Sequence, residues 1–263
     1  MKKILSAALI LCLSLGILAG CDKFEKTEME YKEIVVFAAA SMQETLSDIA
    51  QKYTKNHDGV EIVFNFDSSG TLKTQIEEGA ECHVFVSAAQ KQMNELDDKG
   101  LINAEDRFNV VSNKCVLIVP AGNPAKIRGF DDVASGSFTL MSMGNSDVPA
   151  GQYGQQVLES LGAWDKLNAD GKLTFASNVR EVLAQVEEGA VDCGIVYSTD
   201  AMVSGNKVEV IAEAPEGSHD DIIYPACTIA GADNYDEAKD FLEYLRSEDA
   251  KGIFEKAGFS IPE

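Results

Sequence analysis

Apolar residues along this chain follow two rhythms. Short runs rich in Val, Ile and Phe, at 34–39, 60–66, 84–87, 115–119, 138–143, 173–175, 193–197, 208–211 and 224–229, read as strands. Helical spacing falls between most of them. Leu46, Ile49, Ala50 and Tyr53 keep the i, i+3, i+4, i+7 stripe. Leu72 and Ile76 mark a second helix that ends at Glu77-Glu78-Gly79. Tyr153, Val157, Leu158 and Leu161 mark a third, and Val182, Leu183 and Val186, stopped by Gly189, a fourth. Phe241, Leu242 and Leu245 make a C-terminal helix, and 253–256 a short last turn. Alternation of strand and helix predicts an α/β protein whose mostly parallel sheets carry helices on their faces.

One element occurs twice. Gln75-Ile76-Glu77-Glu78-Gly79-Ala80 and Gln185-Val186-Glu187-Glu188-Gly189-Ala190 each close a helix and lead into a strand. A helix C-cap accounts for the glycine, but not for the shared hexamer. The repeat predicts two lobes of like topology, with a ligand between them at the carboxyl ends of strands. Lobe one is expected to comprise 33–112 plus 213–263, and lobe two 113–212. No linker rich in Pro, Gly or Ser separates them, so 111–119 and 211–224 are the expected hinges.

The N-terminus changes the picture of where the protein works. Lys2 and Lys3 precede an apolar stretch from residue 4 to 18, too short for a comfortable membrane span. The stretch ends Leu18-Ala19-Gly20-Cys21, which resembles a bacterial lipobox. Residues 1–21 are therefore expected to be a lipoprotein signal peptide, with Cys21 lipidated after cleavage. Residues 22–32, charged and aperiodic, read as a flexible tether. The expected location is the cell envelope, anchored to a membrane and facing the periplasm or the exterior.

Charge excludes some partners. The chain carries a formal −21, and loss of the two lysines with the signal peptide gives 20 − 43 = −23. No stripe of Lys and Arg exists, which argues against nucleic acid and against direct binding of anionic lipid head groups. Four cysteines remain, Cys82, Cys115, Cys193 and Cys227, with no zinc-type spacing. Free buried thiols and a disulfide both stay open. Cys115 with Cys227 is the pair to test first, since both lie in segments able to pass between lobes.

Candidate chemistry lies at four turns where a strand run meets a helix start, at Ser41, at Ser69-Gly70, at Pro149-Ala150 and at Asn178-Val179. Helix N-termini expose unpaired N–H groups that suit a small anion. Each turn also has a local explanation. Ser41-Met42-Gln43-Glu44 and Asn178-Val179-Arg180-Glu181 read as capping boxes, the second leaving the Val179 N–H free. Asp67-Ser68-Ser69-Gly70-Thr71 reads as an N-cap cluster in which Gly70 permits close backbone approach to a ligand. Pro149 suits a helix start. Tyr197 ends a buried strand with a hydroxyl that needs a partner.

The ordered set of these motifs carries a resemblance. Phe37-Ala38-Ala39-Ala40-Ser41, Ser68-Ser69-Gly70-Thr71-Leu72, Val148-Pro149-Ala150-Gly151-Gln152-Tyr153, Leu161-Gly162-Ala163-Trp164-Asp165, Asn178-Val179-Arg180 and Gly194-Ile195-Val196-Tyr197-Ser198-Thr199-Asp200 resemble the molybdate-binding component of bacterial ABC transporters. The resemblance runs from about Glu33 to Ile261. It implies a two-lobed class II periplasmic-binding-protein fold, and capture of molybdate or tungstate for delivery to an ABC permease. It implies oxyanion contacts through Ser41, Ser69, Ala150, Val179 and Tyr197, with no cofactor and a monomeric chain. Sulfate or phosphate is the alternative ligand.

Donors alone suit a dianion that carries no proton at neutral pH, whereas phosphate keeps a proton and needs an acceptor. Two residues depart from the family pattern. Asp67 precedes the Ser-Ser pair where a small neutral residue is usual, and is expected to face outward or cap the next helix. His83 stands where Asp is usual, and is expected to be a satisfied structural histidine. The chain has no GxSxG, HExxH, P-loop or GxGxxG pattern, and an enzyme is not expected.

Overall fold

A computed structural model describes residues 31–262. The expected signal segment, Cys21 and the tether up to residue 30 lie outside the described residues. The chain enters a first sheet as β1 (Lys32–Ala39) and passes through a 3-10 turn (Ala40–Met42) into α1 (Gln43–Thr54). There follow β2 (Val60–Asp67), α2 (Ser69–Glu77), β3 (Val84–Val86), α3 (Gln90–Asp97) and β4 (Phe108–Ser112). The second sheet is built from β5 (Cys115–Pro120), β6 (Met141–Gly144), β7 (Leu173–Ala176), β8 (Cys193–Tyr197) and β9 (Val208–Glu213). Its helices are α4 (Phe130–Ser135), α5 (Pro149–Ser160), α6 (Trp164–Ala169), α7 (Val179–Glu187) and α8 (Ser198–Ser204). The chain then returns to the first sheet as β10 (Ile223–Thr228) and ends with α9 (Tyr235–Tyr244) and α10 (Glu248–Lys256).

The two sheets have one plan. Their strand orders are β2-β1-β3-β10-β4 and β7-β6-β8-β5-β9. In each, the first three strands run parallel. The fourth strand of each, β10 or β5, runs antiparallel to both its neighbours and is the first that the chain lays down after crossing from one lobe to the other, so the fifth is again parallel to the first three. The first sheet is covered on both faces: Ile34, Val36 and Ala38 of β1 enter one core while Phe37 enters a second with Leu72, Phe85 and Leu96. Burial on both faces is what makes β1 read as a continuous apolar run.

The repeated hexamer sits at equivalent places, between α2 and β3 and between α7 and β8. Ala80 N–H donates to Gln75 O at 2.9 Å and Gly79 N–H to Ile76 O at 3.0 Å. Ala190 to Gln185 and Gly189 to Val186 repeat these bonds at 2.9 and 3.0 Å. Gly79 and Gly189 have φ of +86° and +66°, the left-handed turn that such a helix end requires.

Several elements were not legible as patterns. β4 and β5 fill most of 111–119, and β9 and β10 flank 211–224, so the strand-free connections shrink to 113–114 and 214–222. β6 begins only at Met141, with Phe138 buried ahead of it. All four cysteines are free and buried. Cys115 lies in the second sheet and Cys227 in the first, so the pair first considered for a disulfide is not joined. Burial pushes the Cys82 and Cys193 thiols up to about 12, which keeps them as thiols. His83 is buried, and its Nδ1 accepts from Val35 N–H at 3.0 Å, the satisfied structural role expected of it.

Candidate functional site

Each turn places a different donor. Ser41 lies inside the 3-10 turn after β1 and is not a helix cap; neither it nor Met42 makes a side-chain cap. Its Oγ instead lies 3.0 Å from Tyr224 Oη. Asn113 Nδ2 donates to that Tyr224 oxygen at 3.3 Å. With Tyr224 accepting from Asn113 and donating to Ser41, the Ser41 proton is left to donate onward. Glu44 does not reach back to the turn as a capping box requires; its carboxylate pairs with Arg180.

Ser69 opens α2. Its Oγ accepts from Ala88 N–H at 2.9 Å, so its own O–H is likewise free to donate. Ser68 is the N-cap, accepting from Thr71 N–H at 3.1 Å. Asp67 neither faces outward nor caps α2. Its Oδ1 accepts from Ser68 N–H at 2.7 Å and from Asn178 Nδ2 of the second lobe at 3.4 Å.

Pro149 leads α5 and has no N–H to give, so Ala150 supplies the first donor there. Asn178 caps α7, its Oδ1 accepting from Arg180 and Glu181 N–H at 3.0 and 3.1 Å. Val179 is thus left unpaired, as the capping-box reading requires. Glu181 accepts from Ser177 N–H at 2.8 Å, one residue earlier than the cap.

These residues meet. Ser41, Ser69, Ala150, Val179 and Tyr197 all line one cavity, together with Asp67 and Ser68. The N–H groups of Ser41, Ser69, Ala150 and Val179 have no acceptor among the described residues. The Tyr197 hydroxyl is buried and also has no partner among the described residues. Burial pushes the Tyr197 and Tyr224 phenols well above their ordinary range, so both stay protonated donors.

The space is small, about 10 Å³ open to the centre of a water-sized sphere. A sugar or peptide does not fit it; a compact species does. Larger surface hollows, of about 560 and 550 Å³, lie elsewhere and hold no unpartnered buried side-chain donor.

Among the described residues, no Lys or Arg lines the cavity. Arg180, next to Val179 in the chain, turns away. Its Nε donates to Ala40 O at 3.2 Å and lies 3.1 Å from Asp200 Oδ1, while Nη2 bonds Glu44. The Arg180–Asp200 contact is an ion pair without an aligned hydrogen bond, because the Nε proton points at Ala40. Asp200 is fully buried and also accepts from Tyr197 N–H at 3.3 Å. Burial pushes its carboxyl up to about 6, against the pull of Arg180. Positive potential at the cavity therefore comes from the starts of α1, α2, α5 and α7, each equivalent to about half a charge. Tyr224, Asn113 and Arg180 escaped the sequence reading, because their partners are more than 80 residues away in the chain.

Residues 34–260 match the family of bacterial extracellular solute-binding proteins. The molybdate-binding protein ModA of Haemophilus influenzae is 41% identical over 87% of this chain and 90% of its own length. YvgL of Bacillus subtilis (strain 168), a candidate ABC transporter substrate-binding lipoprotein, is 38% identical over 93% of both chains. The Azotobacter vinelandii periplasmic molybdate-binding protein superposes with a TM-score of 0.78 at 26% identity, covering 88% of this chain and all of that one. With two sheets of one plan and a match spanning nearly every described residue, the chain belongs to the bacterial extracellular solute-binding proteins, in the group that contains ModA, and works by binding a substrate, not by catalysis.

Proposed function

We propose that the protein captures molybdate, or its near twin tungstate, between its two lobes and delivers it to an ABC permease. Lobe one comprises 33–112 plus 213–263, and lobe two comprises 113–212. Ser41 and Ser69 would bind the oxyanion from lobe one through hydroxyl and N–H. Ala150 and Val179 N–H and the Tyr197 hydroxyl would bind it from lobe two. Ligand favours the closed state because only that state brings both donor sets to one anion.

The observation that carries this reading is the buried Tyr197 hydroxyl without a partner, beside four unpaired first-turn N–H groups. Orphaned buried donors are costly, and an anion without protons satisfies all of them at once. Among the described residues, Asp67 is the one carboxylate at the cavity. Its Oδ1 accepts from Ser68 and Asn178, and its negative charge repels a fully ionised dianion less if that oxygen stays so engaged. Among the described residues no helix is long and apolar enough to cross a membrane. The family's extracellular setting and the likeness to YvgL support lipid attachment at Cys21 as the means of retention.

Thermal melting with four oxyanions tests the reading. Molybdate and tungstate should raise the transition, by about 2.7 kcal/mol of stability at a hundred times Kd. Sulfate and phosphate should leave it in place. A shift with phosphate and none with molybdate would overturn the proposal.

A further inference from the structure

The cavity is closed by contacts between the lobes, and one of them is made by backbone alone. Gly70 N–H, in the first turn of α2, donates to the carbonyl of Asp147, just ahead of α5, at 3.1 Å. A Cβ placed on Gly70 would lie 2.1 Å from that carbonyl oxygen and 2.9 Å from both its carbon and the Asp147 Cβ. Those three are the nearest heavy atoms to it, and all belong to the opposite lobe.

The carbonyl has little room to yield. Its turn is fastened by Asn145 N–H to Ala176 O at 2.9 Å, Val148 N–H to Asn145 O at 3.0 Å, and Asp147 N–H to Asn145 Oδ1 at 2.8 Å. The spacing in Ser69-Gly70 first suggested that the glycine serves close approach to a ligand. The structure places that close approach between the lobes.

We infer that Gly70 is a positioning residue for capture: its bare Cα is the stop against which the lobes close, and it sets how near the α2 donors come to those of α5. The inference rests on the proposed capture of an oxyanion at this cavity. A methyl group at residue 70 wedges the seam. It leaves either lobe able to meet the anion alone and prevents both from meeting it together. Association with the open form is then unaffected, and release is faster.

The test compares wild type, Gly70→Ala and a control, Gly252→Ala. Gly252 lies within α10, and a Cβ there meets nothing within 4 Å. Molybdate binding is followed by calorimetry and stopped flow, and ligand-free stability by melting. Gly70→Ala should bind about ten- to a hundredfold more weakly, the range expected for overpacking by one methyl group. The loss should appear in the dissociation rate, with association unchanged. Its ligand-free melting temperature should match or exceed that of wild type, since alanine is the better helix former. Gly252→Ala should bind as wild type.

Equal affinity of Gly70→Ala and wild type would overturn the inference while leaving the site intact. A ligand-free Gly70→Ala that melts several degrees low would also overturn it, because the clash would then belong to folding and not to closure. A wild type that binds no molybdate would sink both this inference and the function on which it rests.

Discussion

The Tyr197 hydroxyl differs from the hydroxyls of Ser41 and Ser69. It is buried without a partner, whereas Ser41 Oγ and Ser69 Oγ each hold one bond inside the protein. Tyr197→Phe removes an unsatisfied group, so the ligand-free protein should be as stable as wild type or more so. Its molybdate affinity should fall by about 1.5–3 kcal/mol, the contribution of a hydrogen bond to a charged group. Ser41→Ala should lose affinity by a similar amount, but also about 1 kcal/mol of ligand-free stability, because the Tyr224 hydroxyl then has no acceptor there. Urea unfolding paired with calorimetry reads both effects. A Tyr197→Phe protein that is clearly destabilised yet binds normally would show the hydroxyl to be structural.

At the scale of elements, the legible features were those with a local cause. The left-handed turns at Gly79 and Gly189, the cap at Asn178 and the proline start of α5 are each specified within a few residues, and the structure reproduces them. α3, with the sequence QKQMNELD, was missed because it buries little apolar surface beyond Met93 and Leu96. α4 and α6 are only six residues long, too short for a periodicity to establish itself. Strand β4 was not read from the sequence, and its last two residues fall in the expected hinge at 111–119, because only residues 113–114 separate it from β5. The seam between lobes was illegible altogether, since Glu44 and Arg180 are joined only by the fold.

A buried carboxyl beside that seam has a pH signature. The Asp200 carboxyl sits at about 6 in the folded protein against 3.8 in model compounds. A raised folded value means that its contribution to stability is fully present below pH 4 and is lost as pH rises through 6, up to about 3 kcal/mol. Arg180 of α7 offsets part of this from one side, while Glu44 of α1 acts against it. Arg180→Gln removes the offset and strands a buried carboxylate, which typically costs about 3–5 kcal/mol. The loss should be large at pH 8 and small at pH 5, where Asp200 is mostly protonated in either protein. Chemical denaturation at the two pH values checks this, and an equal loss at both would mean that Arg180 does not act through the Asp200 charge.

For the whole molecule the question is how so acidic a chain attracts an anion. The formal charge is −21, and no basic side chain lines the cavity. Retention and approach are therefore governed by different ranges of the same electrostatics. Helix starts act over the first turn only, whereas the net charge acts on a dianion until salt screens it, over about 10 Å at 0.1 M. Repulsion should slow encounter at low salt without much altering escape from the closed cavity. The association rate of molybdate should consequently rise as ionic strength increases from about 10 to 150 mM, while the dissociation rate stays nearly constant. This is the reverse of what a basic anion-binding site does. Stopped-flow measurement at several salt concentrations, with a non-coordinating salt such as sodium chloride, gives the slope directly. An association rate that falls with salt would require an attractive full charge close to the cavity mouth, and Arg180, released from Glu44 and Ala40 of the first lobe in the open form, would be the residue to suspect.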